Sequence, residues 1–571
     1  MRAVSLLAVF LVVKICMVWG HAGQVTGWSA LAYAWQDVAV ALGFGVVELI
    51  RRQTWLYWAL AVYAALNIPV ERALSTPVTW PMLRAAGGPL ADSFRVYLTF
   101  ANVLLVLLTL ALAALLPRVP QRAMGWQAGC AAAFVLLGPM AASRVDTHGM
   151  GRNPIVALVE SGLPRLTAQA GVRDWRTDHF DTDNNQAAED LSQFAGIAKG
   201  RNVVMVSLES TAAQYLSLYS GKYEVMPNLN ALASKALVFD NAYAVYPESI
   251  KGLFSVLCSV FPSFDSEPKA YEKAPCRALP AALAGEGYRT GLFHSGLFGY
   301  LGMESIVRNR GYQTMEDAGD IGGNHHSSFG VDEPVTVRRM LAWIDARPHG
   351  QRFFLTYLPI AGHHPYATPE PGPFAGPEEL DQYRDALHYG DVSLGTLRDG
   401  LRARGLEDNT VWVVYGDHGE AFGQHQGNYA HTFFLYEENV HVPFLVAAPG
   451  LMTGQTRVSK VVSLVDTAPT ILNLLGIAPP SDFQGRTMLD GTRRMALFFT
   501  DYSLGILGLR DGPWKFIYEM ESGRPKLFDL RSDSQELTDL AGQNGARVLW
   551  YRTLLRQWSS AQKAWIAQAA R

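Results

Sequence analysis

Two carboxylates and an imidazole follow two apolar runs that have the composition of buried β-strands. Glu209 comes directly after residues 203–208, and Asp417 and His418 come shortly after residues 411–415. In a parallel sheet covered by helices, reactive groups lie at the carboxyl ends of the strands. Carboxylate oxygens and imidazole nitrogens are ligands that suit zinc or manganese. The sequence therefore predicts one divalent metal, zinc or manganese, held by these three side chains.

The elements that must position this site alternate in type along residues 201–541. Short runs rich in β-branched and aromatic residues predict strands, and longer stretches between them predict helices. The strands are predicted at residues 203–208, 290–294, 353–358, 411–415 and 444–447. The helices are predicted at residues 226–236, 335–346 and 380–404. This alternation indicates an α/β fold with a mainly parallel central sheet and helices on both faces.

The first 143 residues differ from the rest of the 571-residue chain in having few charges. Five apolar stretches there approach the length of about 20 residues that crosses a bilayer as a helix. They are residues 3–20, 29–50, 54–70, 96–116 and 124–143. We therefore predict a five-helix transmembrane bundle over residues 1–143. A cleaved signal peptide at residues 1–22 is the alternative interpretation of the first stretch.

The arginines of the short loops set the expected orientation of this bundle. Arg51 and Arg52 lie between the second and third stretches, and Arg118 and Arg122 lie between the fourth and fifth. Cytoplasmic loops are enriched in lysine and arginine. The N-terminus is therefore expected inside the cell, and everything after residue 143 is expected outside the cytoplasm.

The remaining regions carry fewer signals. Residues 144–200 are interpreted as a juxtamembrane linker with a short helix at 153–163 and a polar stretch at 174–185. Residues 542–571 have apolar side chains at helical spacing, which predicts a C-terminal helix packed on its own domain. The net charge of −3 and the lack of a basic run argue against a nucleic-acid partner.

Two further pairs of residues are expected to be partners. Lys14 and Asp37 lie within apolar stretches, where a lone charge is costly, and an ion pair between them is the simplest expectation. A lipid-headgroup site at these residues is the alternative. Cys258 and Cys276 fall in the outward domain, where an oxidising compartment permits a disulfide, and we predict that bond.

Short motifs along residues 200–541 resemble the sulfatase domain of the alkaline phosphatase superfamily, in the order that the family has them. They are Ser-Leu-Glu-Ser at 207–210, Gly-Tyr-Arg-Thr at 287–290, Gly-His-His-Pro-Tyr at 362–366, Tyr-Gly-Asp-His-Gly-Glu at 415–420, Ser-Leu-Val-Asp-Thr-Ala-Pro-Thr-Ile-Leu at 463–472 and Leu-Phe-Asp-Leu at 527–530. The resemblance implies a sulfatase-like α/β sandwich with a small antiparallel C-terminal subdomain.

Within that superfamily, five spans followed by such a domain resemble the lipoteichoic acid synthases and the phosphoethanolamine transferases. Those families use a single metal-ligating glutamate where sulfatases have paired aspartates, and Ser-Leu-Glu-Ser is similar to the former. The resemblance implies that Glu209, Asp417 and His418 are metal ligands and that a hydroxyl completes the set.

The resemblance also points to the nucleophile. Phe-Asp-Asn-Ala-Tyr at 239–243 is similar to the family's lead-in, and Pro-Glu-Ser-Ile-Lys-Gly follows it. Ser249 is therefore the expected nucleophile and fourth metal ligand, with Ser210 and Thr211 as alternatives. Sulfatases that oxidise a cysteine or serine to formylglycine have proline two residues further on and arginine four further on. Lys251 and Leu253 occupy those positions here.

Several other side chains are candidates for binding the substrate. By resemblance, His363 and His431 take the places of phosphate-binding histidines in the transferases, and His294 ends a strand at a family-like position. Lys251 is a candidate for a positive charge beside the nucleophile. His364, His425 and His441 are expected to be structural or surface residues.

Taken together, these features imply a multi-pass enzyme of a bacterial inner membrane with an extracytoplasmic catalytic domain. The expected reaction transfers a phosphoglycerol or phosphoethanolamine-like group from a phospholipid to an envelope glycan or lipid. A periplasmic hydrolase of sulfate or phosphate esters is the second hypothesis. A catalytically inactive relative that binds lipid or a partner is the third, and the complete set of Glu, Asp and His argues against it.

Overall fold

The structure is a computed structural model that describes residues 2–19, 21, 26–51, 53–85, 96–118, 125–163, 165, 180, 188–323, 325–327, 330–374 and 376–569. Arg52, Arg122 and nearly all of the polar stretch at 174–185 lie outside the described residues. An N-terminal group of helices is followed by an α/β domain.

Helices occupy all five apolar stretches of the N-terminal region. The helices of this region are α1 (Arg2–Val18), α2 (Ser29–Ile50), α3 (Thr54–Leu74), α4 (Trp80–Ala85), α5 (Phe100–Leu115), α6 (Gly125–Arg144) and α7 (Pro154–Ser161). Phe10 of α1 and Tyr57 of α3 are among the buried residues of their common core. Lys14 lies 3.7 Å from Asp37, which confirms the expected ion pair between α1 and α2.

The prediction of five membrane spans is not supported for all five helices. Among the described residues, two helices are long and apolar enough to cross a membrane, Ser29–Ile50 and Phe100–Arg118. Helix α1 has only 17 residues and includes two basic ones, and the last turn of α3 contains Glu71 and Arg72. The described apolar part of α6, Gly129–Arg144, is shorter than a membrane span. The bundle therefore contains two candidate spans rather than five, because helix length and charge content limit the others.

The α/β domain is built on one eight-stranded mixed sheet. Its strands in chain order are β1 (Asn202–Leu208), β2 (Ala236–Tyr243), β3 (Arg289–His294), β4 (Thr314–Glu316), β7 (Phe353–Leu358), β8 (Thr410–Gly416), β11 (His441–Ala447) and β12 (Thr456–Ser463). Two separate hairpins are formed by the short strands β5 (His325–Ser327) with β6 (Gly330–Val331) and β9 (Ala421–Phe422) with β10 (Tyr429–Ala430). The spatial order is β12-β2-β11-β8-β1-β7-β3-β4. Only β11 runs antiparallel to both of its neighbours. The other strand pairs of the sheet are parallel, as the apolar runs predicted.

Helices cover the sheet and close its two apolar faces. They are α8 (Pro227–Ala233), α9 (Ser249–Cys258), α10 (Leu279–Gly285), α11 (Glu304–Val307), α12 (Ala318–Ile321), α13 (Glu333–Asp345), α14 (Glu379–Ala403), α15 (Glu437–Val440) and α16 (Thr467–Leu474). The predicted helix at 226–236 is shorter than expected, because Ala236 already begins β2. Parallel strands with helical connections leave the carboxyl ends of β1, β7 and β8 at one edge, where the candidate site lies.

A second, antiparallel sheet completes the domain. Its strands are β13 (Met495–Thr500), β14 (Ile506–Asp511), β15 (Trp514–Glu519) and β16 (Pro525–Asp529), followed by the helix α17 (Gly545–Ala569). Tyr551, Leu555 and Trp558 of α17 are buried in a core shared with this sheet. The C-terminal helix therefore packs on its own domain, as its apolar spacing predicted.

Candidate active site

The carboxyl ends of β1 and β8 lie side by side in the sheet. The two strands are parallel neighbours with Leu208 opposite Gly416, so the residues that follow them meet. Glu209, Asp417 and His418 each offer one ligand atom, and these atoms all lie within 4.8 Å of one another. All three residues are buried. The fold thus gathers the three side chains that the sequence assigned to a metal.

Local hydrogen bonds orient Asp417 and His418. Asp417 Oδ1 accepts from the backbone N–H of Ser210 at 3.0 Å and from that of His418 at 2.8 Å. His418 Nδ1 lies 3.0 Å from the carbonyl oxygen of Gly419, to which it can only donate. His418 Nε2 then faces Glu209 Oε1 at 3.5 Å. A histidine that donates through one ring nitrogen and ligates through the other is the usual arrangement at a metal.

The charges at this edge favour a bound cation. Burial raises the pKa of Asp417, and the negative charge of Glu209 adds to the rise, against the attraction of His418. Burial lowers the pKa of His418, but the attraction of Asp417 and Glu209 outweighs burial and raises it to about 10. Two buried carboxylates this close together attract positive charge, and a divalent ion supplies it. The oxygen and nitrogen donors fit zinc or manganese.

Ser249 is the first residue of α9 and lies beside these ligands. The side chain of Glu248 caps the helix by accepting from two backbone N–H groups of its first turn, at 3.1 and 3.3 Å. The Ser249 hydroxyl donates to Glu209 Oε2 at 2.9 Å, and its oxygen lies 3.4 Å from His418 Nε2. The start of a helix favours negative charge, which suits an oxygen nucleophile that attacks an anionic group.

The two alternative hydroxyls lie close to Glu209 but are arranged differently. Ser210 Oγ donates to Glu209 Oε1 at 2.9 Å. Thr211 Oγ1 donates to the backbone carbonyl of Glu209 at 3.0 Å, so it points away from the carboxylate. Ser249 is the one of the three for which the structure also records an approach to His418. The geometry therefore favours Ser249.

Two of the predicted substrate-binding histidines lie next to the metal ligands. The ring of His431 stacks on that of His418, with 4.2 Å between the centroids, and the ring of His363 lies 6.3 Å from that of His431. His431 Nδ1 is bound to Glu420 Oε2 at 2.8 Å, and His363 Nδ1 donates to the carbonyl oxygen of His364 at 2.7 Å. Burial lowers the pKa of His363, against the attraction of Glu209. Each ring is thus held through Nδ1.

The other two predicted substrate-binding residues have partners within the protein. His294 is buried at the end of β3, where its Nδ1 lies 3.0 Å from the carbonyl oxygen of Leu358 and donates to it. Lys251 Nζ donates to both carboxylate oxygens of Asp501, at 2.9 and 2.8 Å. The charge of Lys251 is therefore matched by Asp501. A role for either residue in binding substrate stays a prediction.

Glu420 also lies in the candidate site. It is the last residue of the motif at 415–420, but the sequence alone assigned it no role. It is fully buried, and its carboxylate accepts from the Tyr366 hydroxyl at 3.0 Å in addition to its bond with His431. Burial opposes ionisation, but the attraction of His431 holds the pKa of Glu420 below its usual value. An ionised Glu420 fixes the His431 ring with Nδ1–H toward itself. Its place two residues after His418 was the available signal.

The remaining histidines near the motifs are engaged elsewhere. His425 Nδ1 lies 2.7 Å from Glu438 Oε1, and His441 Nε2 donates to the carbonyl oxygen of Asp240 at 2.8 Å. His364 stacks on Tyr97, with 5.6 Å between the ring centroids, in the segment that precedes α5. These contacts agree with the structural roles that the sequence suggested for the three residues.

Cys258 and Cys276 are joined by a disulfide. Their Cα atoms are 5.5 Å apart. Cys258 is the last residue of α9, so the bond ties the end of α9 to the loop before α10. The disulfide therefore holds the far end of the helix that begins with Ser249.

A cavity of about 850 Å³ lies between the N-terminal region and α9. Arg84 at the end of α4 and Ser161 at the end of α7 line one side of it. Glu248, Lys251 and Asp501 line the other side. The cavity therefore lies between the start of α9 and the helices α4 and α7 of the N-terminal region.

The mixed sheet, the strand-end carboxylates and the helix-borne serine are the features of an α/β enzyme with a candidate metal site. Residues 201–477 match the family model for sulfatases. Residues 425–560 match the model described as N-sulphoglucosamine sulphohydrolase, C-terminal. Residues 201–477 of this chain therefore form a domain that matches the sulfatase family model.

Similar proteins include members of both reaction classes. Lipoteichoic acid synthase 2 of Bacillus subtilis is 25% identical over 325 residues, which cover 54% of this chain and 48% of that protein. Arylsulfatase K of Bos taurus is 34% identical over 172 residues, 27% of this chain and 31% of that protein. The chain thus spans about half of the first relative and a third of the second.

The solved structure of the lipoteichoic acid synthase LtaP from Listeria monocytogenes has the same fold. It superposes with a TM-score of 0.52 at 19% identity, covering 66% of this chain and 96% of that one. At this identity, the likeness concerns the fold of the catalytic domain.

Proposed function

We propose that this protein is a membrane-anchored transferase that moves a phospho-headgroup, of the phosphoglycerol or phosphoethanolamine type, from a phospholipid to an envelope glycan or lipid. The group would be carried as a phospho-serine on Ser249. The observation that supports this most directly is the Ser249 hydroxyl, 2.9 Å from Glu209 and 3.4 Å from His418. Lys251 and Leu253 stand where a formylglycine sulfatase has proline and arginine.

The residues of the site can carry both halves of such a reaction. Glu209, Asp417, His418 and Ser249 would hold the divalent ion, which lowers the pKa of a serine hydroxyl and polarises a phosphoryl oxygen. Ser249 Oγ attacks phosphorus and gives up its proton, with the Glu209 carboxylate as the neighbouring acceptor. The bond from phosphorus to the lipid alcohol breaks as the new bond forms.

The histidines supply protons for the leaving and attacking groups. One of the two rings, His363 or His431, would pass a proton to the departing alcohol and would then take up the proton of the acceptor hydroxyl. That hydroxyl attacks phosphorus in the second step and releases Ser249. Donation to the phosphoryl oxygens by these rings stabilises the negative charge in both transition states.

A lipid donor accounts for the arrangement of the two regions. The cavity beside α9 is bordered by α4 and α7, and α2 and α5 are apolar enough to cross a membrane. A headgroup at a bilayer surface could enter this cavity while its acyl chains stay in lipid. The proposed location is therefore the bacterial inner membrane, with the catalytic domain on the extracytoplasmic side.

A periplasmic hydrolase of sulfate or phosphate esters is the second candidate. The match to the sulfatase family model and the similarity to arylsulfatase K favour it. In that case the helices act only as an anchor, and water replaces the acceptor hydroxyl. Formylglycine at position 249 would identify a sulfatase. A phosphate-ester hydrolase would form the same phospho-serine as the transferase, but it would release the headgroup phosphate to water when an acceptor is present.

The purified protein should be incubated with zinc or manganese and with either labelled phosphatidylglycerol and phosphatidylethanolamine or an aryl sulfate. Intact-mass and peptide mass spectrometry then show what is attached to residue 249. A phospho-headgroup on Ser249 supports transfer, and its loss in Ser249→Ala identifies the nucleophile.

Two controls make the result decisive. Ser255→Ala removes a hydroxyl of the same helix that bonds the carbonyl oxygen of Gly252, and it should keep the adduct. Formylglycine at position 249 together with sulfate release would contradict the transferase. Full activity of Ser249→Ala on every substrate would show that another hydroxyl, such as Ser210, is the nucleophile.

A further inference from the structure

The loop between β13 and β14 contacts the nucleophile helix through Asp501. The Asp501 carboxylate accepts from Lys251 Nζ at 2.9 and 2.8 Å, from the Tyr246 hydroxyl at 2.7 Å and from the backbone N–H of Asp265 at 2.7 Å. Lys251 is the third residue of α9, two positions after Ser249. Asp501 thus ties the first turn of that helix to the segment that leads into it.

The next two residues of the same loop contact the N-terminal region. The Thr79 hydroxyl donates to the carbonyl oxygen of Tyr502 at 2.8 Å. The hydroxyls of Thr76 and Ser503 are 2.7 Å apart, and Arg152 donates to Ser503 Oγ at 3.1 Å. Thr76, Thr79, Arg152 and Ser503 are all buried. Three successive loop residues therefore join the nucleophile helix to segments that follow α3 and α6.

Arg152 is in turn held by the first two helices. Lys14 Nζ donates to the carbonyl oxygens of Met150 and Arg152, at 2.9 and 2.5 Å. Asn153 Nδ2 donates to Asp37 Oδ1 at 2.7 Å. The ion pair of Lys14 with Asp37 therefore does more than neutralise two charges, because the same two side chains bind the segment that carries Arg152.

We propose that Asp501 and Arg152 are positioning residues that set the orientation of Ser249 from the N-terminal helices. Contacts run from Lys14 and Asp37 through Arg152 and Ser503 to Asp501. From there they continue through Lys251 to the first turn of α9. Each contact is buried, and a buried charge that loses its partner is strongly unfavourable, so the series resists displacement. The catalytic domain consequently depends on the N-terminal helices for the geometry of its nucleophile, even toward a water-soluble ester.

A second contact between the same two regions serves as a matched control. Arg524 of the antiparallel sheet pairs with Asp146 at 3.0 Å and donates to the carbonyl oxygen of Val145 at 2.9 Å. This contact also holds the domain against the end of α6. It involves no residue of α9 and none of the loop at 501–503.

The test compares Arg152→Gln with Arg524→Gln in the full chain, purified in lipid nanodiscs. Hydrogen exchange followed by mass spectrometry reports the opening of residues 249–258. Exchange there should be faster by about tenfold in Arg152→Gln, as expected when a coupling contact is lost, and unchanged in Arg524→Gln. Arg152→Lys, which keeps the charge, should recover part of the protection. This measurement needs no activity, so it stands even if the proposed function fails.

The catalytic arm of the test rests on the proposed function and uses bis(4-nitrophenyl) phosphate with manganese. In Arg152→Gln we expect kcat to fall by about tenfold while KM changes by less than about twofold, because a misplaced nucleophile slows the chemical step. Asp501→Asn should likewise lower kcat with little change in KM. If Asp501→Asn does not fold, Thr76→Val is tested in its place. Unchanged exchange and unchanged kcat in Arg152→Gln would overturn the proposal. Equal acceleration of exchange throughout the chain in both arginine variants would do so too, because it would indicate general destabilisation.

Discussion

The candidate metal site and the interface with the N-terminal helices are two polar regions built in different ways. The candidate metal site takes Glu209 from one short motif and Asp417 with His418 from another, and these motifs follow strands that are neighbours in the sheet. The interface joins single residues that are far apart in the chain, such as Thr76 and Ser503, which are separated by 427 positions. Motifs therefore reveal the first region, whereas only the folded chain reveals the second. Variants at the candidate metal site should change metal binding and turnover, whereas variants at the interface should change the stability of the protein.

The largest effect is expected for Asp417→Ala at the metal site. The substitution removes one of three converging ligands, so bound metal should be lost and turnover should fall by about three orders of magnitude or more. Metal content by mass spectrometry and initial rates on a phosphodiester measure the two effects.

The control for this variant is Asp345→Ala. Asp345 pairs with Arg404 at the surface, where its side chain is 53% exposed. Exposed pairs contribute little to stability, so metal content and rate should stay unchanged. Retained metal in Asp417→Ala would show that the three side chains do not form the site.

At the interface, Asp146→Asn should act on stability and leave the metal in place. Asp146 pairs with Arg524 at 3.0 Å and with Lys526 at 2.7 Å, and its side chain is 24% exposed. Removing its charge leaves two cations unpaired, which should lower the free energy of unfolding by about 2 kcal/mol, between the values for buried and exposed pairs. Denaturant titration measures this loss. Loss of metal in this variant would show that the two regions are not separable.

Glu420→Gln should weaken the chemistry without removing the metal. The amide can still bond Tyr366, but it no longer fixes His431 through a charge, so kcat should fall by about 10- to 100-fold. Tyr366→Phe keeps the carboxylate and should cost less. If Glu420→Gln behaves like the parent protein, the His431 ring is oriented by its stacking on His418 alone.

The smallest effect concerns pH and the interface. Burial, together with the repulsion of Lys526 and Arg524, lowers the pKa of His148 to about 4, although Asp146 attracts the proton. In the unfolded chain the pKa is about 6.5. Protonation below that value therefore favours unfolding, and stability should fall as the pH drops from about 6.5 to about 4.

His148→Asn should remove this dependence, and asparagine tolerates the positive φ of 49° at this position. Between pH 7 and 5.5 the variant should lose about 1 kcal/mol less stability than the parent protein. Thermal melting at the two pH values, with metal-free and metal-loaded samples, makes the comparison. Equal losses in both proteins would mean that His148 is protonated in the folded state.

Much of the sheet was predictable because its central strands are continuous apolar runs. Residues 353–358 were predicted to the residue, and 203–208 and 290–294 to within one. The strands of this sheet that were missed are β2, β4 and β12. Strands β2 and β12 pair with each other at one end of the sheet, and the three-residue strand β4 lies at the other end. The first half of β12 is mostly exposed because this strand forms the edge of the sheet, so it lacks an apolar run.

The spans show the limit of reading composition alone. Five apolar stretches predicted five helices, and all five are helical. Among the described residues, only α2 and α5 with its extension to Arg118 are also long and apolar enough to cross a membrane. Lys14 in α1 and Glu71 in α3 lower the apolar content of their helices, and Lys14 is used to bind the segment that precedes α7. The placement of such charges depends on partners that lie far along the chain.

By itself, the sequence determined which strands end at the candidate site, which three side chains follow them and could bind a metal, and that the N-terminal region is helical. These features follow from local patterns, since side-chain periodicity and short motifs act within a few residues. The tertiary structure decided which partner each polar group meets. It paired Lys251 with Asp501, which lies 250 residues further along the chain, and His431 with Glu420, which lies 11 residues before it. Each pairing depends on how the folded elements are placed in space, and short sequence patterns do not specify that placement.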